Sequence, residues 1–532
     1  MKRTCIATVA TLLILVLTLA SVNAQEPDSQ KPYHHHYKLI DLGTFGGPHG
    51  GIVNPSSGGL SENGMLVGAS DTAIPDPYPN MCFADCYVNR GVSWHNGVEG
   101  ELPPLPGGEG LSNIPGAVNS EGQAVGQAQN GAIDPVTGWP ESRAVIWQNA
   151  QAAAIATLGG TQAIANAINS SGQVVGASLN SKPDPFANSV LSACSVLVTT
   201  GTGCSTLSFG ENAVFFPGSS EAHAFLWHKG SLRDLGTLGG PDSIAWVIND
   251  RGEVAGWSFT SFAANDSTGV PTVDPFLWSP EGGMTDLGSL GGTFGSVAWL
   301  NNRGQVVGAS NLPGDTTEHP YIWSKSEGMR DLGTLGGTFG HPDWVNDAGE
   351  VVGFTTTAND AAGHAFLWRD GVMTDLGTIG ADPDSESNSI NSRGQIAGSS
   401  GILGVADLHA FLGENNLPIV DLNTLLVPPA PNLTVITALL INDRGEIGCI
   451  GTLPNGDSHP CLLIPCDEAH PDLEGCDYNL VAADIAASAA AGQLDKPVAV
   501  TTTQTNLTLK NTALVHSTIG GRHRKFGGFS AY

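Results

Sequence analysis

Three short patterns recur in fixed order along this chain, and that repetition constrains its fold more than any other feature. The first is Asp-Leu-Gly-Thr-Leu-Gly-Gly, clearest at 234–240 and 331–337. It begins at 41, 101, 154, 234, 286, 331, 375 and, in degraded form, 421. The second is Ile-Asn-x-x-Gly-Gln-Val-Val-Gly, as in 168–176, beginning at 60, 118, 168, 248, 300, 345, 390 and 441. The third is His-Ala-Phe-Leu-Trp, as in 223–227 and 364–368, beginning at 90, 143, 223, 274, 319, 364, 409 and 459. Each pattern occurs eight times in register, so one unit of about 45–50 residues has been copied rather than several domains joined.

Each copy reads as four short strands. A small-apolar segment runs into Ile-Asn. The Asn-x-x-Gly that follows has hairpin-turn chemistry, because Asn bonds the turn backbone and Gly accepts positive φ. Gln-Val-Val-Gly forms the second strand, and His-Ala-Phe-Leu-Trp, rich in β-favouring types, forms the third. A tight turn such as 369–371 leads to the fourth, and Gly-Thr-Leu-Gly-Gly crosses to the next unit. This is the blade pattern of an all-β propeller. The array opens on an orphan fourth strand, 37–42, and closes on an unmatched third strand, 459–464. The N-terminal strand is therefore expected to complete the last blade and clasp a single ring of eight four-stranded blades. Seven blades remain the alternative if the weak unit at 101–153 is absorbed elsewhere, and an open β-solenoid is the competing architecture.

These motifs resemble those of the HAF-repeat family of probable extracellular repeat proteins, whose hallmark is HAFLW, DLGTLGG and INxxGQVVG in series. The resemblance covers roughly 37–480. Arg90, Arg143 and Asp274 depart from it by replacing the motif His. It implies export and a repeat fold. It brings no catalytic residues and no assigned activity.

Residues 1–24 read as a secretory signal: Lys2 and Arg3 precede an apolar stretch, and Val22-Asn23-Ala24 offers a cleavage site before Gln25. The expected organisation is then an N-terminal arm at 25–36, the propeller at 37–466 and a mostly flexible tail at 467–532. The mature chain is expected to be secreted, extracellular or periplasmic. No later stretch reaches the ~18 apolar residues of a membrane helix, so it is not expected to be an integral membrane protein. Fifty acidic residues against 21 basic ones argue against nucleic acid as a partner. Cys5 leaves with the signal. The other eight cysteines are clustered, and an oxidising compartment favours Cys82–Cys86, Cys194–Cys204, Cys449–Cys461 and Cys466–Cys476. Zinc at Cys82 and Cys86 lacks further ligands nearby.

Spacing carries what functional information there is. The Asn-x-x-Gly turns keep one length, whereas the connection between strands two and three swells in the first four units, most of all at 179–222. Those connections and the crossovers share one face, so the elaborated face is where function is expected. Trp246, Trp299 and Trp344 precede the turn Asn of three consecutive units and are the candidate ligand-binding residues, as indoles that stack on sugars or clamp a peptide. The recurrent motif His is expected to bond between strands. No nucleophile elbow, zinc-protease helix, phosphate loop or dinucleotide fingerprint occurs. The expected function is a secreted, non-enzymatic, monomeric propeller without cofactor, binding a glycan, peptide or envelope partner. The alternative is an extracellular hydrolase or lyase with its site at the channel mouth.

Overall fold

The computed structural model describes residues 33–482, apart from 53–57, 79–85, 136–137, 139, 187–219, 267–269, 404–407, 415–417 and 429–431. The described residues are all-β, with only short 3-10 turns such as Ala358–Asp360 and Leu422–Leu425. Strands follow the motif sets in order. The unit at 243–286 is representative: Ser243–Ile248, Val254–Phe259, Val273–Ser279 and Gly283–Asp286 pair antiparallel in sequence order. Four sheets of this kind have four strands each. Two further sheets have eight strands, each made of two such halves joined by one parallel bridge, Glu318 with Phe339 in one and His49 with Ser458 in the other. Among the described residues, no helix is long and apolar enough to cross a membrane.

The turn chemistry accounts for the second motif in full. In Asn169-Ser170-Ser171-Gly172, the Gly172 amide donates to Asn169 O, and the Asn169 side-chain oxygen accepts from the Ser171 and Gln173 amides. Gly172 has φ +74, which a β-carbon would strain. The Asn169 amide group then donates to Gln173 Oε1 and, across to the next unit, to Asn249 O at 3.0 Å. The same interunit bond runs from Asn119 to Asn169, Asn249 to Asn301, Asn301 to Asn346, Asn346 to Asn391, Asn391 to Asn442, and Asn442 to Ser61 O. Asn63 donates onward to Ser120 O. The series thus returns to the unit where it began.

The other motifs are equally specific. In three units the motif His on strand three meets the Asp of strand four: His223 with Asp234, His319 with Asp331 and His364 with Asp375, all at 2.9–3.0 Å; His409 instead meets Asp382 at 3.0 Å. Where Arg90 replaces His, the acid is Glu101, 3.4 Å away. The last motif His, His459, pairs with Asp41 at 2.8 Å. Asp41 lies on Tyr37–Asp41, which pairs antiparallel with Ser458–Pro465, Tyr37 facing Pro465 and Asp41 facing Cys461. Apolar layers lie between sheets of successive units, as where Ala167, Val175 and Ala224 meet Ala245, Val254, Phe276 and Trp278. The strand-three residues Trp147 and Trp278 are buried there.

The long connections are partly paired. Leu66–Pro75 with Tyr87–His95, Ala124–Ile133 with Pro140–Gln148, and Val174–Pro183 with Ser220–His228 run past a register shift as hairpin extensions of the sheets. Cysteines 449 and 461 face each other on paired strands and are bridged, and Cys466 is bridged to Cys476. Cys86 is disulfide-bonded; Cys82, Cys194 and Cys204 lie outside the described residues. The end of the N-terminal arm docks: Tyr33–His34 pairs with Val481–Ala482, and buried His34 bonds Glu414 at 2.6 Å.

Two outcomes follow. Asn391→Ala leaves buried turn amides and the Asn442 carbonyl without their partner, so chemical denaturation should show a loss of about 1–3 kcal/mol; a loss near zero contradicts the role of the interunit bond. Asp274 stands where the motif His belongs, facing the strand whose Asp286 ends it, and burial, then the Asp286 charge, push it up to about 6. Its native carboxyl holds a proton more tightly than the unfolded one, so stability falls as pH rises from about 4 to about 6. Asp274→His should raise stability at pH 6.5 by up to about 1 kcal/mol, measured by urea unfolding; a less stable variant contradicts this.

Candidate active site

From Asn113–Val118 to Thr434–Ile441, strand one of each unit lies against strand one of the next, as the interunit Asn bonds require. These strands therefore form the inner wall. A bulge recurs on them three residues before the turn Asn, where one residue is left unpaired between Pro115 and Ala117, Ala165 and Ala167, Ala245 and Val247, Pro342 and Trp344, and Ser387 and Ser389. A bulge re-aims the side chain it carries. The glycine that ends the second motif is the counterpart: a β-carbon on Gly353 would run into His341 O, and one on Gly398 into Glu386 O.

The three candidate tryptophans separate on this wall. Trp299 and Trp344 stack on each other, ring centroids 3.5 Å apart and planes 20° apart. Both are half-buried. Trp344 also packs against the cluster that holds Ile52, Leu66 and Leu440. The tip of Trp299 lies 4.0 Å from where a β-carbon on Gly58 would stand. The pair therefore reaches across to strands of the first and last units, with its facing surfaces spent on each other. Trp246 is the bulged residue of its strand and lies apart, nearly buried with Ile244 and Ala177.

A second group on the same wall joins residues that the sequence did not bring together; of them only Glu386 stood out, with Asp382 and Asp384, as an alternating run of oxygens that could hold calcium. His341 and Glu386 each stand five residues before their turn Asn, Asn346 and Asn391, so the interunit register sets them side by side. His341 Nε2 lies 3.0 Å from Glu386 Oε1; with the carboxylate ionised, Nε2–H donates. Asp343, the bulged residue, brings Oδ1 to 3.9 Å from the same nitrogen. The Glu386 side chain is 4% exposed and that of His341 25%. Phe354 stacks on the imidazole at 5.4 Å, and Phe339 meets it edge-on at 5.7 Å. Glu318, bridged to Phe339 from the preceding unit, is pushed up to about 7 by burial, against the downward pull of His341.

One imidazole and three carboxyl groups from three consecutive units thus gather near the end of the wall where strand-two to strand-three connections lie. Such a group can exchange a proton near neutral pH. His341, Asp343 and Glu386 can also hold a metal ion, since their ligand atoms lie within 4.8 Å of one another. The signal in the sequence was positional: the register equivalents of His341 in other units include Ile114, Ile164, Ile244, Ser296 and Thr437, all uncharged.

No family model matches the chain, and no curated protein matches it. Among solved structures it is similar to an acylaminoacyl peptidase of Pyrococcus horikoshii, at 10% identity and a TM-score of 0.34, over 74% of this chain and 56% of that one. It is similar to a puromycin-hydrolyzing peptidase of Mycobacterium tuberculosis, at 10% identity and a TM-score of 0.36, over 82% and 55%. A polysaccharide lyase matches at 9% identity and a TM-score of 0.36, over 80% of this chain and 100% of that one. The chain spans little more than half the length of the two peptidases. These solved structures are enzymes, and on that finding the expectation of a chain without catalytic function is corrected. Likeness at this level assigns neither reaction nor residue.

The indole pair is testable by itself. A double-mutant cycle on Trp299→Ala and Trp344→Ala, read by denaturant unfolding, should give a coupling of about 0.5–1.5 kcal/mol. Additive losses would mean that the two rings do not stabilise each other.

Proposed function

We propose that this chain is an exported, eight-bladed propeller of the HAF-repeat kind that works as an extracellular hydrolase or lyase, with its site at the channel mouth on the long-connection face. One observation carries the reading: His341, Asp343, Glu386 and Glu318 come from three consecutive units and converge at one place on the inner wall. A repeat fold has no structural need for such a gathering, since the other units keep uncharged side chains at the same positions. The Phe339 and Phe354 rings hold the imidazole plane, which is the preorganisation that proton transfer or electrostatic stabilisation requires.

The surroundings suit a polymer approaching from that face. The hairpin extensions of the first three units stand on the long-connection side. The connections over the units that carry the cluster are short, as between Val306–Asn311 and Glu318–Ser324. The Trp299–Trp344 stack lies three residues further along the wall, towards the tight-turn face. The bridged pairs Cys449–Cys461 and Cys466–Cys476 suit an oxidising compartment.

The test is turnover by the mature protein on panels of polysaccharides and of peptides and esters. New reducing ends without unsaturated products identify a glycan hydrolase, and unsaturated products identify a lyase. Glu386→Gln and His341→Ala should each lower turnover by about 100-fold or more, with unfolding midpoints kept within a few degrees. Parental turnover in both variants would place the chemistry elsewhere.

A further inference from the structure

We infer that His341, Asp343 and Glu386 form a binding site for one divalent first-row transition-metal cation, of the Mn2+ or Zn2+ type. Its catalytic meaning rests on the reading of this cluster as the active site; its existence does not.

The donor geometry comes first. The three ligand atoms, one imidazole nitrogen and two carboxylate oxygens, lie within 4.8 Å of one another. Bonds of about 2.0–2.2 Å to a central ion put donors on opposite sides about 4 Å apart, so small side-chain adjustments bring all three onto one ion. An imidazole with carboxylates suits Mn2+ or Zn2+ better than Ca2+ or Mg2+, which prefer oxygen alone. Three protein ligands leave coordination positions for water or substrate, as catalytic sites do.

The internal repeats supply an independent comparison. At the register position of Asp343, the next unit carries Asn388 and a unit three earlier carries Asn166. Their amide groups donate to the next unit's backbone, Asn166 to Ala245 O at 2.8 Å and Asn388 to Ala438 O at 2.9 Å. A carboxylate at that position cannot donate. It instead adds negative charge beside Glu386, which is 3% exposed. One imidazole facing two carboxyl groups on a buried wall presents more oxygen acceptors than donors at this point, the arrangement a bound cation satisfies. Phe354 and Phe339 flank the His341 ring and limit its rotation. On binding, His341 holds its ring proton on Nδ1 and gives the Nε2 lone pair to the ion; a neutral ring moves its proton from Nε2 to Nδ1 through solvent, an imidazolium releases the Nε2 proton to solvent, and the hydrogen bond to Glu386 is replaced by two metal–ligand bonds.

The experiment uses the full mature chain, stripped with chelator and dialysed, and titrated with Mn2+ and separately with Zn2+ by calorimetry, with Mn2+ also followed by electron paramagnetic resonance. One ion per chain should bind, and the unfolding midpoint should rise with it. His341→Ala, Asp343→Asn and the near-isosteric Glu386→Gln should each weaken binding at least tenfold. Circular dichroism reports which variants fold, and Glu386→Gln keeps the test open if His341→Ala does not. No binding by the parent, or binding unchanged in the folded variants, overturns the inference. Turnover separates the two readings. Loss of turnover in His341→Ala without any ion bound by the parent removes the cation and leaves the active site. An ion bound at the triad with turnover intact in every variant removes the active site and leaves the cation.

Discussion

The bond from each turn Asn to the carbonyl of the next turn Asn is what the rest of the structure depends on. A single side chain closes its own turn, accepts two backbone amides, and spends its remaining donor on the neighbouring unit. Nearly every atom of that amide is therefore satisfied away from water, where an unmade hydrogen bond is costly. The consequence is registry. Because Asn301, Asn346 and Asn391 are bonded in series at 2.9–3.0 Å, residues at equal distances before each Asn are neighbours. His341 and Glu386 meet for that reason and no other.

The candidate site lies where the copies depart from one another. The His–Asp clip between strands three and four survives replacement by Arg90 with Glu101. Arg143, whose strand-four acid is missing, turns to Glu141. Those changes conserve a charge pair. The charges at 341, 343 and 386 replace side chains that elsewhere pack or bond backbone, and they do so in neighbouring units. A repeat array offers many equivalent wall positions, and a site needs only two or three of them to change together.

Much of the fold was legible in the residues. The motif order predicted the strand pairing, the Asn-x-x-Gly turns, the pairing of Tyr37–Asp41 with the final third strand, and the bridge between Cys449 and Cys461. The match of His459 with Asp41 was present in the text as a motif split between the two ends of the chain. The site was not legible, because its members lie outside the motifs and 45 residues apart, and their meeting depends on interunit registry. The recurrent bulge was also hidden. It follows from the close approach of the second-motif glycine to the wall, which a strict alternation of faces does not reveal, and it explains why Trp246 leaves the other two tryptophans. The hairpin extensions were read as loops because their polar residues pair only with each other. The expectation of a non-enzyme rested on the absence of catalytic motifs, and a motif search says nothing of where a few separated charges gather.

The closed ring is the central claim, since without it the wall, its registry and the cluster have no common origin. Native-state hydrogen exchange of the amides in Tyr37–Asp41 tests it most directly. If this strand clasps the ring, its bonded amides exchange only through global unfolding, with the same opening free energy as those of Val351–Thr357 in the middle of the array. Exchange orders of magnitude faster, as for a fraying terminus, would contradict the closure and the account built on it.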